Sequence, residues 1–148
     1  MKRRQSEAGY TLIEILAVLT LLAVLMLLVA PNIMKGLMEG KIKATKNQIS
    51  ATSSVLNSYF MDNGCYPSTE QGLKALVEKP SLPPVPDSWN GPYVSAKEVP
   101  KDAWNHELHY VCPGVHNTDS YDLYSYGPDN QEGGSGYNVD IGNWQAIK

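Results

Sequence analysis

The chain begins polar, turns continuously apolar, and then becomes periodic. Residues 1–9, MKRRQSEAG, include Lys2, Arg3 and Arg4, and from Ile15 to Ala30 every residue is apolar except Thr20. A helix from Tyr10 to Ala30 would be roughly 31 Å long, about the thickness of one bilayer core. The basic residues ahead of it place the N-terminus in the cytoplasm and the rest of the chain across the membrane. After Gly40, Ile42, Ile49 and Leu56 recur at seven-residue spacing, joined on the same face by Thr45, Thr52 and Tyr59. Lys41, Lys43, Lys46, Asn47, Gln48, Ser50 and Ser53 fall largely off that stripe. The pattern predicts an amphipathic helix to about Asp62, stopped by the cap pair Asn63-Gly64. Pro31 lacks an amide proton and is expected to kink or interrupt the helix. Gly36 and Gly40 each weaken it by about 1 kcal/mol relative to alanine.

Beyond Gly64 the signals shorten. Ser68-Thr69-Glu70-Gln71 ahead of Leu73, Leu76 and Val77 predicts a short capped helix. Pro80 to Pro86 predicts an extended loop. Tyr93-Val94, Leu108 to Val111 and Tyr121 to Ser125 are the strand candidates, a small antiparallel sheet laid on the helix. The fold class is therefore α+β.

Composition narrows the function. The 148 residues suffice for one compact domain, and 18% are charged with a formal net charge of -3. No basic patch follows the first four residues, which argues against nucleic acid as a partner. His106, His109 and His116 accompany no nucleophile motif, and Trp89, Trp104 and Trp144 read as core and loop anchors, so the chain is not read as an enzyme. Cys65 and Cys112 lie in no zinc spacing. They would be two thiols in a reducing compartment and could pair in an oxidising one.

Glu14 separates the readings of the apolar segment. A secretory signal core is normally about 7–15 residues, shorter than this one. A buried core helix would not carry a basic flank, and a plain anchor has no use for a carboxylate, which is costly within a membrane helix. No Lys or Arg follows until Lys35, so a cation for Glu14 has to come from elsewhere.

Gly9-Tyr10-Thr11-Leu12-Ile13-Glu14 resembles the prepilin cleavage motif of type IV pilins and pseudopilins, with Tyr10 where phenylalanine is usual. The resemblance implies cleavage by a prepilin peptidase between Gly9 and Tyr10, N-methylation of Tyr10, and pairing of Glu14 with the N-terminal amine of a neighbouring subunit. Loss of the leader, with three basic residues and Glu7, takes the net charge from -3 to -5.

The similarity sharpens downstream. CYPSTEQGLKALVEKP is similar to the YPTTEQGLEALVEKP segment of major pseudopilins of type II secretion systems. Pro100 to Asn105 resembles their LPxDPWGNxY segment, with Ala103 replacing a proline. Tyr121 to Asp129 resembles YDLxSxGxDG, and Asp140 to Trp144 resembles the terminal DIxNW. The resemblance runs from Arg4 to Trp144. It implies a pilin-like architecture: leader 1–9, transmembrane and assembly helix 10–31, and periplasmic domain 32–148. It further implies a single-pass inner-membrane subunit that polymerises with itself into a periplasmic pseudopilus, alongside minor pseudopilins, an assembly platform and membrane lipid, and drives folded proteins through the outer membrane. A type IV pilin, a minor pseudopilin and a non-polymerising tethered calcium-binding module are the alternatives.

Two sites follow from this reading. The polar, glycine-rich loop Gly127 to Asn143 cannot pack on itself and needs something to order it. Calcium takes about six to eight oxygen ligands, and the resemblance places one Ca2+ here, with Asp129 and Asp140 as carboxylates. Val139 stands where a further aspartate is common, Asn138 is the substitute, and the Tyr126 carbonyl is a further ligand. The spacing is not that of an EF-hand. With the domain periplasmic, Cys65 and Cys112 are expected to form a disulfide, a local addition that most members of the family lack.

Overall fold

The computed structural model describes residues 9–95 and 98–145. The basic leader residues Lys2, Arg3 and Arg4 lie outside the described residues. The chain divides into two compact units, 1–37 and 38–148.

Helix α1 spans Leu12–Asn63 and contains Pro31 without a break in its helical assignment. The expected interruption at Pro31 is not seen, nor is one at Gly36 or Gly40. A proline removes one amide donor, and the remaining bonds of a 52-residue helix carry the backbone across it. In the first unit the apolar side chains are exposed along the whole helix, Leu16, Leu19, Val24, Leu28 and Ile33 among them. This stretch is long and apolar enough to cross a membrane.

In the second unit the predicted stripe becomes the buried face of α1: Thr45, Ile49, Thr52, Leu56 and Tyr59. The buried hydroxyls are satisfied. Thr52 donates to the Gln48 carbonyl at 2.8 Å, and Thr45 accepts from the Ala103 amide at 3.1 Å. The helix ends as its sequence predicts. Gly64, at φ +74°, donates to the Phe60 carbonyl at 2.8 Å, and the Asn63 amide caps the Tyr59 carbonyl. A left-handed residue after the last turn favours glycine because a Cβ would be strained there.

The Ser68–Gln71 capping box forms. Ser68 N–H donates to Gln71 Oε1 at 3.0 Å, and Gln71 N–H donates to Ser68 Oγ at 3.2 Å. The element it opens, Gly72–Leu76, is a 3-10 turn and not an α-helix. The Gln71 amide instead reaches the Leu82 and Pro84 carbonyls, tying down the proline-rich loop.

The sheet has three antiparallel strands in the order β1 (His109–Val111), β2 (Asp122–Ser125) and β3 (Ile141–Gly142). His109 pairs with Tyr124, and Ser125 with Ile141. Tyr110, Leu123 and Ile141 enter one core with Leu56, Tyr59, Leu73, Leu76, Leu108 and Tyr121. His109 and Tyr124 stack with ring centroids 5.2 Å apart.

Two of the three predicted strands form. The third is Ile141–Gly142, and Tyr93-Val94 is not a strand. Tyr93 spends its amide on the Leu76 carbonyl at 2.8 Å and its hydroxyl on Asp62 at 2.9 Å, with its ring against Tyr59 and Trp89. A residue bonded to a turn and to the helix end has no amide left for a ladder.

Candidate functional sites: the N-terminal segment and the C-terminal loop

Glu14 lies in the first turn of α1. Its Oε2 accepts from the Thr11 amide and from the Thr11 hydroxyl, both at 2.8 Å, and its own amide donates to Thr11 Oγ1 at 3.3 Å. This is a capping box: Thr11 and Glu14 satisfy helix-end donors reciprocally. The Thr11-x-x-Glu14 spacing carries that signal in the sequence. In the single chain the carboxylate is thus held at the helix end, while Tyr10 beside it is exposed.

The C-terminal loop is built from two 3-10 turns that pack on each other, Gly127–Asp129 and Gly136–Asn138. Gly127, at φ +76°, opens the first turn with the Val139 and Tyr137 carbonyl oxygens facing it, 3.7 and 3.9 Å from where a Cβ would stand. Asn130 adopts the left-handed conformation after Asp129, and the Gln131 amide donates to Asp129 Oδ1 at 3.4 Å. Asp140 accepts from the Gly133 amide through Oδ2 at 2.9 Å, while its Oδ1 is buried with no partner. A buried carboxylate oxygen with no donor is costly as it stands. Among the described residues no group of three or more His, Cys, Asp or Glu side chains gathers in one place. An ion here would therefore depend on main-chain carbonyls as well as carboxylates.

Two buried carboxylates hold the stems of this loop. Asp102 accepts through Oδ1 from the Trp104 and His106 amides at 2.9 and 2.8 Å, and through Oδ2 from the Ser125 hydroxyl at 2.6 Å. Ser125 Oγ in turn accepts from the Gly127 amide at 2.9 Å, and His106 Nδ1 lies 3.2 Å from the Gly127 carbonyl. At the other stem Asn143 accepts from the Leu123 amide and donates to the Tyr121 carbonyl. Asn117 bridges Asn143 to Asp122. Burial pushes the Asp122 carboxyl up, but the His116, Asn117 and Val115 amides with the His116 ring outweigh it and hold it below the usual range. Trp144 closes this end, stacked on His116 with ring centroids 3.9 Å apart.

The remaining side chains singled out in the sequence have structural places. His109 stacks on Tyr124 and lies tilted against Tyr126, and burial lowers its pKa. Tyr124 is pushed up to about 12, first by burial and then by its hydrogen bond to Tyr126. Trp89 donates to the Ala75 carbonyl at 2.9 Å, and Lys41 lies over the Trp104 ring. The pairing of Asp102 with Ser125 was not visible in the sequence, since the two lie 23 residues apart.

Cys65 and Cys112 are both free and half-buried. Thr69 Oγ1 donates to the Cys112 carbonyl at 3.0 Å and accepts from the Cys112 amide at 2.9 Å, and the Cys112 thiol is turned to the Ser120 carbonyl at 3.7 Å. That clamp holds the Cys112 main chain against Thr69.

Residues 4–30 match the prokaryotic N-terminal methylation motif, and residues 32–144 match the family described as type II secretion system (T2SS), protein G. The chain is 44% identical over 145 residues to the type II secretion system core protein G of Pseudomonas aeruginosa, covering 97% of this chain and 99% of that one. It is 38% identical to the protein of the same name from Vibrio cholerae, covering 97% and 96% of the two chains. It is 39% identical to that of Escherichia coli K12, covering 100% and 98%. The crystal structure of the major pseudopilin from the type 2 secretion system of enterohaemorrhagic Escherichia coli superposes with a TM-score of 0.64 at 34% identity, covering 77% of this chain and 95% of that one. With the methylation motif on its apolar helix and the protein G match running through the sheet and both loop stems, this chain belongs to the type II secretion system protein G family of pseudopilins.

Proposed function

We infer that the chain is a structural subunit of a type II secretion pseudopilus, one that polymerises from the inner membrane and drives folded proteins across the outer membrane. The observation that carries this reading is the first half of α1. Its apolar side chains are exposed throughout, and a single carboxylate sits at its start. Such a surface needs lipid before assembly and other helices after it. Prepilin peptidase removes residues 1–9, and Tyr10 becomes the methylated N-terminus. In the monomer Glu14 is satisfied by Thr11. In the filament its partner is the Tyr10 amine of the next subunit, in a setting where attraction is stronger than in water. Self-association is the principal contact, with minor pseudopilins and the inner-membrane assembly platform as further partners and the 32–148 domain in the periplasm.

The test is Glu14→Ala, followed by a shearing assay for filaments beside membrane fractionation. The variant enters the membrane, is processed, and makes no filaments. Glu14→Asp, with its shorter arm, falls between. Normal filaments from Glu14→Ala would sink the pairing, and loss of membrane monomer would trace the defect to insertion.

We further propose that the C-terminal loop holds one calcium ion. The residues fit the ion: Asp140 Oδ1 is a buried acceptor without a donor, and main-chain carbonyls converge on Gly127. Asp129 and Asp140 would supply carboxylates, with Asn138 and the Tyr126 carbonyl completing the oxygen set. A bound cation would cross-link the two turns electrostatically and order the loop. Chelation should lower the melting temperature. At a hundredfold excess over Kd, linkage gives about 2.7 kcal/mol. Asp129→Ala should abolish the calcium-dependent shift, and an identical wild-type melt with and without chelator would leave the loop without an ion.

A further inference from the structure

We propose that Asp102 is the positioning residue of the calcium loop, setting its ion-ready shape from outside it; this rests on the calcium reading above. Asp102 is far from the loop in sequence, and its side chain is fully buried. Its two oxygens face different structures. Oδ1 gathers the Trp104 and His106 amides and so shapes the 102–106 turn, in which Asn105 is left-handed at φ 70°. Oδ2 takes the Ser125 hydroxyl proton, at 2.6 Å the shortest hydrogen bond in the network.

That bond fixes what Ser125 Oγ can do next. With its proton committed to Asp102, the oxygen presents only lone pairs, and it receives the Gly127 amide at 2.9 Å. His106, placed by the same carboxylate, meets the Gly127 carbonyl at 3.2 Å. Both faces of the Gly127 peptide neighbourhood are thus set by one side chain. Gly127 matters because the Tyr126 carbonyl precedes it, Asp129 follows it by two residues, and the Val139 and Tyr137 carbonyls pack against it. The first turn of the loop starts at this residue. The other stem, through Asn143, does not touch this network.

The relay resembles the outer groups that orient metal ligands, whose loss typically weakens metal affinity about 10–100-fold. Asp102 touches no proposed ligand itself. A purely structural role would lower stability and leave affinity in place, whereas a positioning role lowers affinity beyond what stability accounts for.

The experiment is calorimetric titration of calcium chloride into the chelator-stripped, detergent-solubilised full chain, with a thermal melt of each apo protein. Asp102→Asn keeps size and one acceptor oxygen, which cannot serve the Ser125 hydroxyl and the Trp104 and His106 amides together. Ser125→Ala removes only the relay hydroxyl and spares the 102–106 turn, so it serves if Asp102→Asn fails to fold. Leu76→Val, in the core beside the 3-10 turn, is the control for general destabilisation. The expected result is a Kd at least tenfold weaker for Asp102→Asn and for Ser125→Ala, with the Leu76→Val affinity unchanged at a comparable apo melting temperature. Affinity within threefold of wild type in the relay variants overturns the proposal, as does an equal loss in Leu76→Val. A wild-type chain that takes up no calcium defeats the calcium reading itself and is distinguishable at once, because the failure then appears before any substitution is made.

Discussion

Replacing Asp122 by asparagine should cost the domain stability at neutral pH and less in acid. The carboxylate is 2% exposed and gathers five donors. Oδ2 accepts from the Val115 amide at 2.7 Å, the His116 amide at 2.8 Å and the His116 ring at 3.1 Å. Oδ1 accepts from the Asn117 amide and side chain, both at 3.0 Å. The loop wraps so tightly that a Cβ on Gly114 would stand 2.5 Å from Oδ1. Asparagine keeps one acceptor oxygen and turns an NH2 group towards the other donors. Hydrogen bonds to a charged group are each worth about 1.5–3 kcal/mol, but they do not add. Val115 and His116 are exposed residues whose amides can turn to water. A net loss of about 3 kcal/mol follows, close to a 12 °C fall in melting temperature for a domain of this size. The pH dependence has a definite sign. The folded carboxyl titrates below its unfolded value, so its stabilisation is complete above the unfolded pKa of about 3.9 and disappears as pH falls through the lower, folded pKa. Melts of the full chain in detergent, from about pH 7 down to about pH 3, are the assay. The gap between wild type and Asp122→Asn should be widest near neutrality and narrow as pH falls below the unfolded pKa of about 3.9. Equal melts at neutral pH, or a gap that does not narrow towards about pH 3, would refute the reasoning.

Other expectations are more direct. A bulky residue in place of Gly9 should block processing, read as an intact mass that still includes residues 1–9, while wild type yields a chain beginning at Tyr10. If the periplasmic domain pairs Cys65 with Cys112, thiol labelling of unreduced, denatured protein should find no sulfhydryl, and two labels per chain would refute the bridge. Gly134→Ala should loosen the C-terminal loop, seen as faster amide exchange over residues 127–143. Gly134 sits at φ +95°, and a Cβ there would run into the Asn138 carbonyl oxygen. Unchanged exchange would mean that the loop does not hold this backbone path.

The sequence by itself determined what is periodic or local. The apolar run, the Ile42-Ile49-Leu56 stripe, the Asn63-Gly64 stop and the Ser68–Gln71 capping box all depend on residues within a turn or two of one another, and local chemistry suffices to read them. The Thr11–Glu14 box is legible on the same grounds. Tertiary structure decided everything that required a distant partner. Tyr93 reads as a strand residue until the helix end claims its hydroxyl and Leu76 its amide. Ile141-Gly142 is too short to announce itself as a strand and becomes one only because β2 offers an open edge. The loop was legible as a candidate ion site from its oxygen-bearing residues, but not the orphaned Asp140 oxygen, nor the route by which Asp102 reaches Gly127 through Ser125. Hydrogen bonds across twenty residues leave no periodic trace in a sequence, and only the folded chain brings their donors and acceptors together.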